Sequence, residues 1–376
     1  MNADAQPTVL EFFAGAGLAR LGLGGWRTAF ANDLDPAKTR AYAANFGSMG
    51  LRQDDVWDLS VEDLPAGRAD LAWASSPCQD LSLAGTRGGL TARRSGAFWG
   101  FWRLIEALDD QGRAPRLIVI ENVTGLLTSN GGEDFRTLAE TLAHRGWRFG
   151  ALEIDAIRWV PQSRPRLFIV ATRDSVAGLS GPCAPFHSRG VVEAHGRLSG
   201  DARAAWCWWG LSEPLPMRGD LDSLLEPDAD VVWFDDDRTA QLLRHLGSLH
   251  RRRLDAAAAS TGRSVGTGFK RVRMEKGRKV QRLEIRFDGI AGCLRTPAGG
   301  SSRQYVLVAQ DGGVRARFLT PREAMRLMGV GDDYRLPASV SAGLKLAGDG
   351  VAVPVVRALS EGLLKPLLAG QAVRAA

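Results

Sequence analysis

Short apolar runs that end on glycine, proline or an acid recur through the first 170 or so residues, with amphipathic stretches between them. Thr8 to Phe13 passes directly into Ala14-Gly15-Ala16-Gly17-Leu18, and Arg27 to Ala31 ends on Asn32-Asp33-Leu34-Asp35. Leu71 to Ala74 stops at Ser75-Ser76-Pro77-Cys78, Arg116 to Ile120 runs into Glu121-Asn122-Val123, and Leu167 to Thr172 follows Gln162-Ser163-Arg164-Pro165-Arg166. Such runs read as buried strands, and their alternation with helical patterns predicts an α/β fold with a doubly wound, mostly parallel sheet. Asp35 before Pro36 reads as the N-cap and first residue of a helix through Phe46. Phe98, Trp102, Ile105 and Leu108 repeat at helical spacing and are expected in the core. Beyond about residue 181 the alternation fades. Cys183, Trp206, Cys207, Trp208 and Trp209 are expected in the core of a second, smaller domain, and VQRLEIRF (280–287) alternates as a strand. Thr320, Pro321 and Glu323 predict a capped helix to Met328. Val351 to Leu368 is apolar and is expected to return to the first domain. The expected domains are therefore residues 1–180 with 340–376, and residues 181–339.

In an open α/β sheet, ligands bind beyond the carboxyl ends of the strands, which makes the residues leaving each run the candidates. The glycine turn at 15–17 brings backbone close to a nucleotide-like ligand. A dinucleotide fingerprint would need glycine where the chain has Arg20, so pyrophosphate and nicotinamide chemistry are disfavoured. Asp33 is expected free for a ribose and Asp35 structural. Asp55 either meets an adenine amine or caps a turn. Cys78 leaves a strand at Pro77, where a thiol is placed for chemistry, although lone cysteines are commonly buried filler. Glu121 follows a buried strand and needs a task or an ion pair. Arg164 and Arg166, stiffened by Pro165, suit fixed bonding to oxygen acceptors. Gly85 to Gly96 is glycine-rich and basic, a loop over a phosphate backbone or a solvated connection.

Charge changes this picture in one region. The net charge is +6, a weak pointer to a polyanion. Residues 220–237 carry eight acids and no Lys or Arg, whereas 238–286 carry a balance of +11. Charge on that scale suggests a DNA-facing surface, the alternative being a solvated helical face around Arg244 to Arg253, and the acidic stretch is expected to face away. Cysteines at 78, 183, 207 and 293 show no CxxC spacing, so neither a zinc site, any other metal, nor a disulfide framework is expected. No apolar run approaches a membrane span and the N-terminus lacks signal-peptide features, which reads as a cytoplasmic protein with no membrane partner.

FFAGAGL, SPCQ with Ser82 and Gly85, ENV, QSRPR, RTPAGG, RFLTPREAMRLMG and LAGDGV, in that order, resemble the motifs of the DNA (cytosine-5)-methyltransferase family over residues 8–173 and about 289–365. The resemblance implies methyl transfer from S-adenosylmethionine to carbon 5 of a flipped-out cytosine in duplex DNA. Cys78 would add to carbon 6, Glu121 would share a proton with ring N3, and Arg166 would hold O2 with Arg164 in support. Phe13, Gly15, Gly17, Asp33, Leu34, Asp55, Val56, Pro77, Asp349 and Val351 would line the cofactor, and Gln79, Ser82, Arg87 and Gln162 the substrate. The enzyme would act alone or paired with a separate cognate restriction endonuclease. The alternatives are a tRNA cytosine-5 methyltransferase and a catalytically altered DNA-binding relative. The chain departs from the family at Leu18, at Ser76 and at Asp349, where the family has asparagine; that exchange is expected to put an extra carboxylate near the cofactor.

Overall fold

The structure is a computed structural model that describes residues 6–77, 96–175, 177–215, 220–296 and 303–371. It divides into two compact units. Unit 1 comprises Met1–Asp155, Pro165–Pro214 and Val355–Ala376, and unit 2 comprises Ala156–Arg164 and Leu215–Pro354.

Unit 1 is built on a sheet of β1 (Thr8–Phe12), β2 (Arg27–Asn32), β3 (Leu51–Arg52), β4 (Leu71–Ser75), β5 (Leu117–Asn122), β6 (Arg148–Asp155) and β7 (Pro165–Thr172), in the order β3-β2-β1-β4-β5-β7-β6. From β3 to β5 every pairing is parallel, while β7 runs antiparallel to both neighbours. The reason for the reversal lies in the connection. Residues 156–164 are fewer than the dozen or so that a parallel crossover needs, so β6 and β7 pair as a hairpin would. β5 and most of β4 are buried without alternation, as strands covered on both faces must be.

The helices start where the sequence indicates. In α2 (Pro36–Phe46), after the short α1 (Leu18–Gly22), the Asp35 carboxylate accepts from the backbone N–H of Ala37 at 2.8 Å and of Lys38 at 3.3 Å. α3 (Ala97–Asp110) buries the predicted stripe, with Phe98, Trp102, Ile105 and Leu108 all at 3% exposure or less. α4 (Glu133–His144) is followed in the chain by α5 (Arg189–Arg197) and α6 (Gly200–Ala204).

The tryptophan cluster corrects an expectation. Trp206–Trp209 belongs to unit 1, because its backbone runs along β6: Phe149 N–H donates to Ala205 O, Cys207 N–H to Phe149 O, and Trp209 Nε1 to Val170 O at 2.9 Å. The aromatic mass of this segment thus closes one edge of the large sheet, and the unit boundary falls after Pro214 instead of at 180. At the other end, the boundary expected at 340 lies at 355.

Unit 2 carries an antiparallel sheet of β8 (Ser264–Glu275), β9 (Arg278–Arg286), β10 (Tyr305–Gln310) and β11 (Gly313–Phe318), in the order β11-β10-β8-β9. Its two hairpins turn on Lys276-Gly277 and Asp311-Gly312, all four with positive φ, the backbone that two-residue turns require. Leu242 of α7 (Asp236–Leu243), Leu254 of α8 (Ser248–Ala259) and Leu246 between the two helices pack with Leu283, Ile285, Leu307 and Ala316. α9 (Pro321–Arg326) has the predicted capping box, and its Glu323 is wholly buried against Arg317 at 2.6 Å. The acidic stretch does not simply face away from the basic one. Arg263 meets Asp222 and Asp228 at 3.0 Å and Arg315 also pairs with Asp228, so part of the +11 balance is spent inside the unit.

A Cβ on Gly150 would stand 1.9 Å from Cys207 O. Gly150→Ala should therefore cost about 2–3 kcal/mol by pushing the tryptophan segment off β6. Thermal denaturation checks this as a fall of several degrees in the midpoint.

Candidate active site

Strand register decides which side chains share the carboxyl edge of the parallel sheet. Phe12 is level with Asn32 on one side and Ala74 on the other, and Ser75 is level with Glu121. The chain therefore leaves β1 at Phe13, β2 at Asp33, β4 at Ser76-Pro77 and β5 at Asn122 along one row of unit 1.

At β1 the backbone is forced out of the ordinary region: Phe13, Gly15 and Gly17 have φ of 55°, 57° and 79°. For phenylalanine this is strained, and such strain gathers where a loop is shaped for a ligand. The two glycines do different work. A Cβ on Gly17 would lie 2.3 Å from the Phe46 ring, so Gly17 is a packing requirement, whereas among the described residues nothing lies within 4 Å of a Cβ on Gly15. Asp33 is not free, contrary to expectation. Its Oδ2 accepts the Gly15 N–H and its Oδ1 the Asp35 N–H, both at 2.8 Å. Each oxygen keeps a lone pair for a hydroxyl. Beside it Leu34 is 62% exposed, an apolar surface at a strand exit.

Asp55 caps a turn, accepting the Trp57 N–H at 3.0 Å, and the Val56 side chain lies in the core at 3% exposure. The Asp55 carboxylate thus has the turn-capping role that the sequence left open, and the backbone of Val56 is the part of that residue placed outside the core.

At β4 and β5 the decisive residue is Asn122. Its Nδ2 donates to Ser76 O and Ser76 Oγ, each at 3.2 Å, while its Oδ1 accepts the Val123 N–H. This buried amide holds the Ser76-Pro77 exit beside Glu121 and leaves Pro77 exposed. Glu121, at 8% exposure, has Arg166 Nε 3.3 Å from its Oε1. Arg166 extends from β7 and its Nη1 donates to Pro165 O. Cys78, Gln79, Ser82 and Arg87 lie outside the described residues.

Gln162, Arg164, Asp349 and Val351 belong to unit 2. Gln162 is fully buried, donating to Leu327 O at 2.7 Å and accepting from Leu294 N–H at 3.2 Å. Arg164 is 2% exposed and its guanidinium gathers three carbonyls, Leu294 O, Gly348 O and Gly350 O, at 3.0, 2.9 and 2.5 Å. The resemblance places Gln162 at the substrate and Arg164 in support of it; in the structure both side chains hold buried backbone carbonyls of unit 2. Val351 is buried at 4%. Asp349, at the end of α10 (Val340–Asp349), is bonded to Thr296, which gives the unusual carboxylate a local partner.

A family model for C-5 cytosine-specific DNA methylase matches residues 8–191 and 240–365. The chain is a member of the C-5 cytosine-specific DNA methylase family. Its curated relatives include the type II methyltransferase M.Bsp6I of Bacillus sp., 26% identical over 96% of this chain and 99% of the relative. They also include M.HhaI of Haemophilus parahaemolyticus, 24% identical over 94% of each. In fold the chain resembles the Schizosaccharomyces pombe Dnmt2 methyltransferase, with TM-score 0.60 and 18% identity over 96% of this chain and 99% of that one. It also resembles the Entamoeba histolytica methyltransferase EhMeth, with TM-score 0.63 and 14% identity over 97% and 99%. The methylase is thus an enzyme of cytosine carbon-5 methylation in DNA. Among the described residues no helix is long and apolar enough to cross a membrane, and no group of three or more His, Cys, Asp or Glu is arranged to hold a metal ion.

Sequence reasoning passed over Glu11, whose signal was an acid inside the apolar run TVLEFF. The methylase buries it completely in β1, two residues before Phe13. Tyr42 Oη donates to its Oε2 at 3.2 Å, Arg20 Nη1 donates to Tyr42 Oη at 3.1 Å, and among the described residues Oε1 has no hydrogen-bond partner. Burial, the dominant cause, pushes the Glu11 carboxyl up to about 7 against the opposing pull of Tyr42 and Arg20. A carboxyl raised in the folded state stabilises fully below its unfolded value and loses that contribution as pH rises through the folded one. Glu11→Gln should therefore be about 3 kcal/mol more stable relative to wild type at pH 8 than at pH 4.5. Thermal midpoints of both proteins across that range measure the difference.

Proposed function

We propose that the methylase transfers methyl from S-adenosylmethionine to carbon 5 of a cytosine flipped out of duplex DNA, through a covalent adduct of Cys78 at carbon 6. The observation that carries this reading is the level pairing of Ser75 with Glu121, with Asn122 clamping the chain two residues before Cys78. The strained turn at Phe13 and Gly15, the lone pairs left on Asp33 and the exposed Leu34 fit a nucleoside with a diol and an apolar face. When bound there, S-adenosylmethionine supplies an electrophilic methyl on a sulfonium.

Cytosine carbon 5 is too electron-poor to take that methyl unaided. The Cys78 thiolate forms a bond to carbon 6, the ring double-bond pair moves towards carbon 5, and Glu121 shares a proton with N3 as charge builds there. Arg166, braced on Glu121, holds O2. Arg164 and Gln162 act at a distance by fixing the backbone they bind. After methyl transfer, water removes the carbon-5 proton, that pair restores the double bond, and the bond to Cys78 breaks. Extracting the base from its duplex costs a few kcal/mol, which contacts from the basic surface of unit 2 offset. Those contacts make affinity fall with salt. The cofactor, duplex substrate and target-recognition role of unit 2 all belong to this reading.

Cys78→Ala should lower incorporation of labelled methyl into duplex DNA by about a thousandfold or more while duplex binding persists in a mobility-shift assay. Retained turnover would remove the nucleophile, and incorporation into tRNA but not duplex DNA would overturn the substrate.

A further inference from the structure

Beyond Phe269 the hairpin of β8 and β9 leaves its sheet. β10 pairs with β8 only from Ser264 to Gly268, whereas β8 and β9 remain paired out to Glu275 and Arg278. The outer part is a two-stranded ribbon about 20 Å long, whose strands number roughly six residues each in that span.

Pairing assigns its two faces. One presents Arg271, Arg273 and Glu275 opposite Arg282, Val280 and Arg278; the other presents Val272 and Met274 opposite Gln281 and Lys279. On the first face Arg271 and Arg273 pair with Glu284 and Arg282 pairs with Glu275, so three of its four arginines are already engaged within the ribbon. The second face carries no acid beyond Lys270. Among the described residues, the Lys279 ammonium and the Gln281 side-chain amide have no partner, and Val272 and Met274 are 59% and 65% exposed. Apolar side chains standing free on a basic ribbon mark a surface that something covers.

We infer that this second face of the ribbon enters the major groove of duplex DNA and reads base edges, with Gln281 as the hydrogen-bonding reader, Val272 and Met274 as apolar contacts and Lys279 on phosphate. The inference rests on the proposed DNA substrate and adds which strand face determines sequence preference. The groove is about 12 Å wide and admits a two-stranded ribbon. A glutamine amide matches the paired donor and acceptor of an adenine edge, and apolar side chains match a thymine methyl. The arginines of the opposite face are mostly engaged by its own glutamates, which leaves the second face as the one with unengaged polar groups beside apolar ones.

The test uses the full-length enzyme on a duplex library with randomised bases flanking the target cytosine, read by bisulfite sequencing. Gln281→Ala should lose about tenfold to a hundredfold of discrimination at one position, and Met274→Ala should relax a neighbouring one. Lys279→Ala should weaken binding evenly across sequences and reduce the salt slope by about one. Thermal midpoints matching wild type establish that these exposed replacements fold. Unchanged site preference in both Gln281→Ala and Met274→Ala would overturn the inference. If wild type methylates no cytosine, the proposed function fails separately, and binding to duplexes containing 7-deazapurines, which lack the groove's N7 acceptors, decides the ribbon: weakened binding for wild type and not for Gln281→Ala supports it, and equal binding refutes it.

Discussion

Parallel neighbours in register deliver the ends of their strands to one line, and the candidate site of unit 1 depends on that constraint. Because β4 lies between β1 and β5, the exit at Ser76-Pro77 falls between the strained turn after Phe12 and the carboxylate of Glu121. Neither exit would hold its direction unaided. Asn122 ties the first to β5 through Ser76, and Arg166 braces Glu121 from the reversed strand β7. The hairpin-like reversal of β7 is therefore more than a topological detail, since it brings a cation to the edge where a fifth parallel neighbour would have ended elsewhere.

Unit 2 shows the complementary use of buried polar groups. Arg164, Gln162 and the Arg317–Glu323 pair are almost entirely removed from water, and each is met by backbone carbonyls, amides or an opposite charge. Loss of any one member leaves the others unpaired in a low-dielectric interior, where an orphaned group costs more than its bond contributed. Such residues stay fixed for reasons of architecture even when they sit in motifs that look chemical. Here one arginine of the QSRPR segment reaches the carboxylate of Glu121, while its neighbour two residues earlier clasps three carbonyls.

What could be read from the chain follows this division. Local signals were legible: the Asp35-Pro36 cap, the Phe98 to Leu108 stripe, the Thr320 capping box and the alternating strand at 280–287 each depend on near neighbours. Motif order located the strand exits for the same reason. Long-range pairing was not legible. Nothing near Trp206 says that it lies along Phe149, nothing near Asp33 says that Gly15 and Asp35 already occupy it, and nothing near Arg164 announces carbonyls 130 and more residues away. Gly266 and Gly268 sit inside β8, where a Cβ would collide with β9 backbone at 2.5 and 2.9 Å, a close approach that no neighbour in the chain announces. Glu11 was hidden by its surroundings, because an acid in an apolar run is an exception that periodicity averages away.

The most direct measurement of the central claim is peptide mapping of the enzyme after incubation with S-adenosylmethionine and duplex DNA carrying 5-fluorocytosine at the target. Fluorine at carbon 5 prevents the closing elimination, so the account predicts a stable protein–DNA adduct whose modified peptide bears the base on Cys78. An enzyme that methylates ordinary duplexes yet yields no adduct, or one mapped to Cys183, Cys207 or Cys293, would contradict it.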